Sequence, residues 1–242
     1  MRIRSEHIAY FLIISIVPLS AVVYVSYEYS QNAIRDSVNT NLLAATENSG
    51  RSIDSWMDAR KDDISIISAI IEIGEKEKLQ QNLGAFQKEH DGVYEEFFII
   101  GHDGNVIFST SSAGIKSYHK EAPRDELFVS DVSLSDVTGQ PEMIITNPVK
   151  KNGTITGILG ARISMENLYT LIEGIDVGKS GEIFIVNNRG ELVFHKNRTK
   201  ILNEKIDNNF AVKEVTYEKR GMGDYINYTG EKVIGSYYWM PL

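Results

Sequence analysis

The histidines are the first residues to examine for chemistry, because an imidazole serves both as a metal ligand and as a general base. The 242-residue chain has five of them, at positions 7, 90, 102, 119 and 195. They are scattered, without an i, i+4 pair or an HExxH arrangement that would place two imidazoles on one helix face. The spacing therefore predicts no metal centre.

The sequence also shows no nucleophilic site. It has no cysteine, which excludes disulfides, thiolate metal sites and a cysteine nucleophile. There is no GxSxG elbow, and the segment Gly178-Lys179-Ser180-Gly181 lacks the upstream glycine of a phosphate-binding loop. We therefore predict that the chain is not an enzyme, because a membrane-tethered hydrolase would need a nucleophile and a base. We also predict that it carries no cofactor.

Charge and composition limit the partners. The net charge is −8, and the hydrophobic and charged contents of 42% and 24% are ordinary for a folded protein. The acidic balance argues against a nucleic-acid partner and against adhesion to an anionic bilayer surface. The length allows one large or two small domains with their own cores.

Residues 8–27 are an uninterrupted run of 20 residues without a charge. As a helix this run would span about 30 Å, the hydrocarbon thickness of a bilayer. Arg2 and Arg4 precede it, so the positive-inside rule keeps residues 1–7 in the cytoplasm and places the rest of the chain outside. A cleaved signal peptide is the competing interpretation, but its apolar core is usually shorter. We predict a transmembrane helix that anchors the chain in the cell membrane through the lipid bilayer.

Residues 28–73 are predicted to continue as a long stalk helix, because they contain no proline and only one glycine, Gly50. Apolar residues recur at helical spacing, with an interruption allowed near Gly50. The stripe between Ile53 and Ile71 is expected to pack on the domain's own sheet. The stripe nearer the membrane has no evident cover, so we predict a homodimer through this helix.

Two similar stretches, Glu95–Thr110 and Gly181–Lys196, each predict a β-hairpin. In both, an aromatic and β-branched run leads to a turn with a glycine, and the two glycines, Gly104 and Gly190, are 86 residues apart. The alternative is a chance likeness between two glycine-turn hairpins. We predict a small module that is used twice.

The rest of the pattern predicts an α+β fold with two tandem PAS-like antiparallel-sheet modules. The membrane-distal module, residues 74–175, has a short helix, the first hairpin, three strands, the last of them at residues 154–164, and a linking helix. The membrane-proximal module, residues 176–242, has the second hairpin, a helical stretch at 199–206 and strands at 210–218, 224–228 and 232–240. Because the second module stops at its last strand or before it, we expect a fragment of a longer protein.

Three stretches resemble the double Cache sensor domain, the extracytoplasmic ligand-binding region of many prokaryotic histidine kinases and chemoreceptors. The first extends from Ser130-Asp131-Val132 through Thr138-Gly139-Gln140-Pro141 to Asn147-Pro148-Val149. The second is the strand from Gly153 to Gly160, and the third extends from Gly178 to His195. With the membrane segment and the long helix, the resemblance covers nearly the whole chain, and its specificity comes from the order and spacing of the set.

The resemblance implies a ligand pocket in the membrane-distal module and a return through the membrane to a cytoplasmic output domain. In the amino-acid-binding branch, an R-x-W-Y-x-x-A segment and a later aspartate hold the ligand. The corresponding positions, counted back from Ala122, are Lys116, Tyr118 and His119, and the aspartate position falls on Arg162. We predict the ligand-binding residues Lys116, Tyr118, His119, Asp131 and Arg162.

Arginine at the aspartate position changes the expected ligand. The ammonium of an amino acid needs an acceptor, and a buried Arg162 would repel it. Lys116, His119 and Arg162 could instead pair with carboxylates. We therefore predict a small anionic ligand such as a carboxylate or dicarboxylate. In the competing interpretation, Arg162 points outward or pairs with Glu96 or Asp131, and the pocket binds nothing.

The predicted function is a non-enzymatic receptor ectodomain that converts ligand binding into a helix displacement across the membrane. The alternative is a membrane-anchored structural or adhesive surface module with no small-molecule site. A second membrane span followed by a kinase or methyl-accepting region would favour the receptor.

Overall fold

The computed structural model describes residues 2–112, 123–178, 180–207 and 209–240, and it divides into two compact units, 1–44 and 45–242. Helix α1 extends from Arg2 to Ile70 and passes through Gly50 without the interruption that the sequence allowed. By length and composition, α1 is apolar enough to cross a membrane, and none of its most apolar window is buried. The finer domain boundaries stay predictions.

The first part of the second unit is a six-stranded antiparallel sheet, which follows helix α2 (Lys76–Glu89). The order across the sheet is β2-β1-β6-β5-β3, and β4 also pairs with β5. The last strand, β6, therefore lies between β1 and β5, and its bounds match the predicted strand. The strands are β1 (Tyr94–Ile100), β2 (Val106–Ser109), β3 (Phe128–Val129), β4 (Ser133–Leu134), β5 (Pro141–Lys151) and β6 (Thr154–Ser164).

The two faces of this sheet differ in polarity, because successive side chains of a strand point to opposite faces. Phe97 and Leu159 belong to an apolar core that also contains Ile64 of α1. Glu96 and Arg162, which are paired across β1 and β6, lie on the other face. The helices thus cover one face, and a polar cluster lies on the opposite one.

The second part of the unit contains two further hairpins, which form separate two-stranded sheets among the described residues. A helix leads into it, and a short 3₁₀ turn (Arg198–Lys200) and a second helix lie between the hairpins. The elements are α3 (Glu166–Glu173), β7 (Phe184–Val186), β8 (Leu192–His195), α4 (Phe210–Thr216), β9 (Gly221–Ile226) and β10 (Lys232–Tyr237).

Two predictions in this region are wrong. Residues 210–218 were expected to form a strand, but the Asn209 side chain accepts a hydrogen bond from the backbone N–H of Val212 and caps α4. Residues 199–206 were expected to be helical, but only the 3₁₀ turn is. The backbone N–H groups of Leu202 and Ile206 instead bond to the carbonyls of Leu192 and Gly190, each at 2.8 Å.

The repeated hairpin has the same strand register in both copies. Phe98 pairs with Ser109 in the first copy, and Phe184 pairs with His195 in the second, at the predicted offset of 86 residues. Both copies also have a register irregularity at the following position, Ile99/Ile100 and Ile185/Val186. The equivalence holds for the hairpins, and the presence of two complete modules stays a prediction.

Candidate functional site

A register shift in β1 gathers the charged groups of the polar face. The pairing of β1 with β6 is irregular between Tyr94 and Glu96, so that Glu95 and Glu96 both approach Arg162. On the other side, Arg162 is paired with Ile144 of β5, and Glu142 lies two residues before Ile144 on the same face. The local backbone therefore places three carboxylates around one guanidinium.

The Arg162 side chain is only 2% exposed and uses all its nitrogens in this cluster. Its Nε donates to Glu142 at 2.9 Å, and its terminal nitrogens donate to Glu96 at 3.0 Å and to Glu95 at 3.1 Å. A terminal nitrogen also donates to Glu142 and to the Ser135 hydroxyl. A buried guanidinium is stable only with such partners.

The cluster carries an excess of negative charge when its members are ionised, three carboxylates against one guanidinium. Burial lowers the pKa of Arg162, but the hydrogen bonds to Glu142 and Glu96 and the negative charges of these two residues together outweigh burial and raise that pKa overall. Burial raises the pKa of Glu95, and the neighbouring Glu142 and Glu96 add to the rise against the opposing effect of Arg162. Glu95 is the most accessible of the three, at 22% exposed against 0% for Glu96 and 8% for Glu142.

Apolar and hydroxyl groups surround the charges on this face. The Ser109 hydroxyl donates to Glu96 at 2.6 Å. The Phe98 ring lies against Gly160, where a Cβ would come within 2.8 Å of three ring atoms. Any larger residue at 160 would displace this ring, so the glycine maintains the close approach of the ring to the sheet.

The predicted site residues are only partly brought together by the described structure. Lys116, Tyr118 and His119 lie outside the described residues. Asp131 is half exposed, and its carboxylate lies 3.4 Å from the guanidinium of Arg189 in the second hairpin region. Of the pairings considered for Arg162, the one with Glu96 is present and the one with Asp131 is not.

Sequence reasoning missed Glu95, Glu142 and Ser135 as members of the cluster. A signal was present for Glu142, an acid that interrupts the apolar strand β5 and is buried. An acid at such a position needs a buried cation as its partner. For Ser135, no sequence signal pointed to the contact.

A second polar network lies on the β7–β8 hairpin. The Nε2 atom of His195 is 2.7 Å from Glu182, and the hydroxyl of Tyr228 donates to the same carboxylate at 2.8 Å. The backbone N–H of Asn197 donates to Nδ1 of His195 at 2.8 Å. These contacts satisfy both ring nitrogens of a histidine that is only 4% exposed, which is typical of a structural role.

Across the described residues, no group of three or more His, Asp or Glu side chains is arranged to hold a metal ion. The nitrogens of Arg162 are already paired within its cluster, and Glu95 is the acid of the cluster that is partly accessible.

The chain belongs to the Cache domain family, whose model matches residues 29–242. A curated relative, the methyl-accepting chemotaxis protein PscA of Pseudomonas syringae pv. tomato, is 22% identical over 200 residues, which are 78% of this chain. That match covers 32% of the relative, so the chain spans about a third of its length. Membership in the family confirms the prediction of a non-enzymatic ligand-binding sensor module.

Solved chemoreceptor domains share the fold. The ligand-binding domain of Campylobacter jejuni Tlp3 in complex with L-valine is 15% identical with a TM-score of 0.63, and the match covers 86% of this chain and 90% of that domain. The domain of Pseudomonas fluorescens CtaA in complex with L-serine is 16% identical with a TM-score of 0.55, covering 70% and 77%. At these identities the likeness establishes the fold alone.

Proposed function

We propose that this chain is the extracytoplasmic ligand-sensing region of a membrane-anchored receptor of the chemoreceptor or histidine kinase type. The ligand is a small carboxylate, bound in the membrane-distal module on the face that carries Arg162. The observation that carries the proposal is the buried polar cluster of Arg162, Glu96 and Glu142 on the sheet face opposite α1. Burying these charges costs desolvation free energy, which a domain that serves only as a structural spacer would avoid.

The proposed contacts to the ligand come from the five residues predicted from the sequence. Lys116, Tyr118 and His119 supply a cation, a phenol and an imidazole to the ligand's carboxylate. Arg162 and Asp131 are the remaining proposed ligand-binding residues, and Arg162 acts together with its glutamate partners.

The charge of the cluster favours a ligand that also carries an ammonium. Arg162 is already paired with Glu96 and Glu142, so it does not face the ligand as an unpaired cation. Glu95, the accessible acid, can accept from an ammonium and would repel a second carboxylate. The expected repulsion between Arg162 and an ammonium therefore no longer excludes an amino acid as the ligand. The solved relatives that contain L-valine or L-serine are consistent with such a ligand.

The membrane anchor and the stalk complete the proposed receptor. Residues 8–27 hold the chain in the bilayer, residues 28–242 lie outside the cytoplasm, and two copies pair through the long helix. Within unit 1–44, the apolar side chains of Ile34 and Val38, four residues apart on one helix face, are exposed at 60% and 44%. Exposed apolar residues at helical spacing favour a helical partner.

A thermal-shift panel on the full chain in detergent tests the proposal. Single amino acids, including L-serine and L-valine, are compared with succinate and with simple primary amines. A ligand at about a hundred times its Kd should add about 2.7 kcal/mol to the free energy of unfolding. We expect an amino acid to stabilise the chain, and Glu95→Gln to weaken that effect while the exposed Glu89→Gln leaves it unchanged.

The other outcomes separate the alternatives. Stabilisation by succinate alone would overturn the ammonium requirement and restore the dicarboxylate. No stabilisation by any compound would favour the alternative of a structural or adhesive surface module without a small-molecule site.

A further inference from the structure

Gly50 is a buried glycine in the middle of α1. In a helix interior, glycine is less favourable than alanine by about 1 kcal/mol. The helix is continuous here, so the residue does not serve as a break. A glycine at such a position therefore indicates that something lies where a side chain would be.

The ring of Tyr238 occupies that space. A Cβ atom on residue 50 would lie 2.4 Å from Cδ1, 2.6 Å from Cε1 and 2.8 Å from Cγ of Tyr238. These separations are far below van der Waals contact. The ring could remain only if the helix carried no side chain at this point.

Polar contacts above and below the ring align the two elements. The Tyr238 hydroxyl donates to Asp54 at 3.3 Å, and the hydroxyls of Thr46 and Ser236 share a hydrogen bond. Thr46, Gly50 and Asp54 are four residues apart and share one face of the helix. Ser236 and Tyr238 are two residues apart, at the end of β10 and just after it. We call the three helix residues Thr46, Gly50 and Asp54 the seat.

We propose that the seat is the mechanical contact that couples the position of β10 to that of α1. The Tyr238 ring occupies the space that a side chain at residue 50 would fill, so the two elements fit sterically at this point. The hydrogen bonds on either side of the ring fix the orientation of β10 relative to the helix. A shift of β10 on ligand binding is then passed to the helix at Gly50. This last step rests on the proposed sensing function, whereas the coupling itself does not.

A double-mutant cycle tests the coupling without a ligand, since coupling between two elements is reciprocal. The variants are Gly50→Ala, Tyr238→Ala and their combination, in the full chain, with hydrogen exchange measured at the amides of β9 and β10. Gly50→Ala should speed exchange in β10 about tenfold or more, because the ring leaves the seat. In the Tyr238→Ala background, the same substitution should leave exchange unchanged or slow it, because alanine favours the helix.

Gly84→Ala is the matched control, a glycine inside α2 whose Cβ would meet only the flexible end of Gln80, at 3.2 Å. It should leave exchange in β10 unchanged. If Gly50→Ala has the same effect with and without the Tyr238 ring, or no effect at all, the proposal is overturned. A failed thermal-shift panel would overturn the sensing role and leave this result standing.

Discussion

At the residue scale, Arg162 determines the character of the polar face. It replaces an acid that the family resemblance would place there, and the structure surrounds it with the acids Glu95, Glu96 and Glu142. The sequence predicted that Arg162 is important and allowed its pairing with Glu96. The pairing of Arg162 with three glutamates at once was not predictable. It depends on the register irregularity in β1 and on strand β5, which is distant in the sequence.

Replacing Arg162 should be severely destabilising. Arg162→Met leaves Glu96 and Glu142 buried without their cation, which typically costs about 3–5 kcal/mol. Urea denaturation of the full chain measures the loss. Arg189→Met, which removes exposed pairs with Asp131 and Glu191, should cost less than about 1 kcal/mol. Equal losses for both variants would show that the cluster does not stabilise the fold.

Glu95 should make stability depend on pH. Burial raises its pKa above the ordinary value of 4.5, so the folded chain binds this proton more readily than the unfolded chain does. The contribution of Glu95 to stability therefore falls as pH rises from about 4.5 through the raised pKa. The Glu95→Gln side chain does not titrate, so the stability of this variant relative to the natural chain should increase from pH 4.5 to 7. A difference that decreases over this range in urea denaturation would contradict the assignment.

At the element scale, helix α3 joins the two sheet regions. The hydroxyl of Tyr169 donates to the carbonyl of Val193 in β8 at 2.7 Å. Arg198 lies over the Tyr169 ring at 4.3 Å and pairs with Glu173 at 2.9 Å. A hydrogen bond, a cation–π contact and an ion pair therefore fix the linking helix to the second hairpin and to the 3₁₀ turn after it.

Tyr169→Phe should weaken the attachment of α3 to the second hairpin and lower the stability of the chain. The substitution leaves a buried carbonyl without its donor, which costs about 1–3 kcal/mol. Tyr217→Phe, at a residue that is 73% exposed, is the control and should change stability by less than about 0.5 kcal/mol. Both are measured by thermal unfolding, and an unchanged Tyr169→Phe variant would show that the hydrogen bond is not needed.

The elements themselves differ in how far the sequence predicted them. Strand β6 was predicted to its bounds because Asn152 and Gly153 define a tight turn before it. Helix α4 was mistaken for a strand, since its β-branched residues outweighed the cap at Asn209. Patterns bounded by turn residues were reliable, whereas a short element whose cap was overlooked was not.

At the scale of the whole molecule, the proposed receptor needs two copies. The substitutions Ile34→Glu and Val38→Glu place charges on the exposed stripe of α1 and should weaken the homodimer by about tenfold or more. Ile226→Glu, at an exposed apolar residue of β9, is the matched control. Sedimentation of the full chain in detergent measures the dimer, and a strict monomer at high concentration would remove this part of the proposal.

The location of the bound ligand is the decisive measurement for the proposed binding site around Arg162. Hydrogen exchange is measured along the full chain with and without the amino acid that gives the largest thermal shift. We expect the greatest added protection in β1, β5 and β6, around Arg162. Protection confined to the β7–β10 region, or no change anywhere, would contradict it.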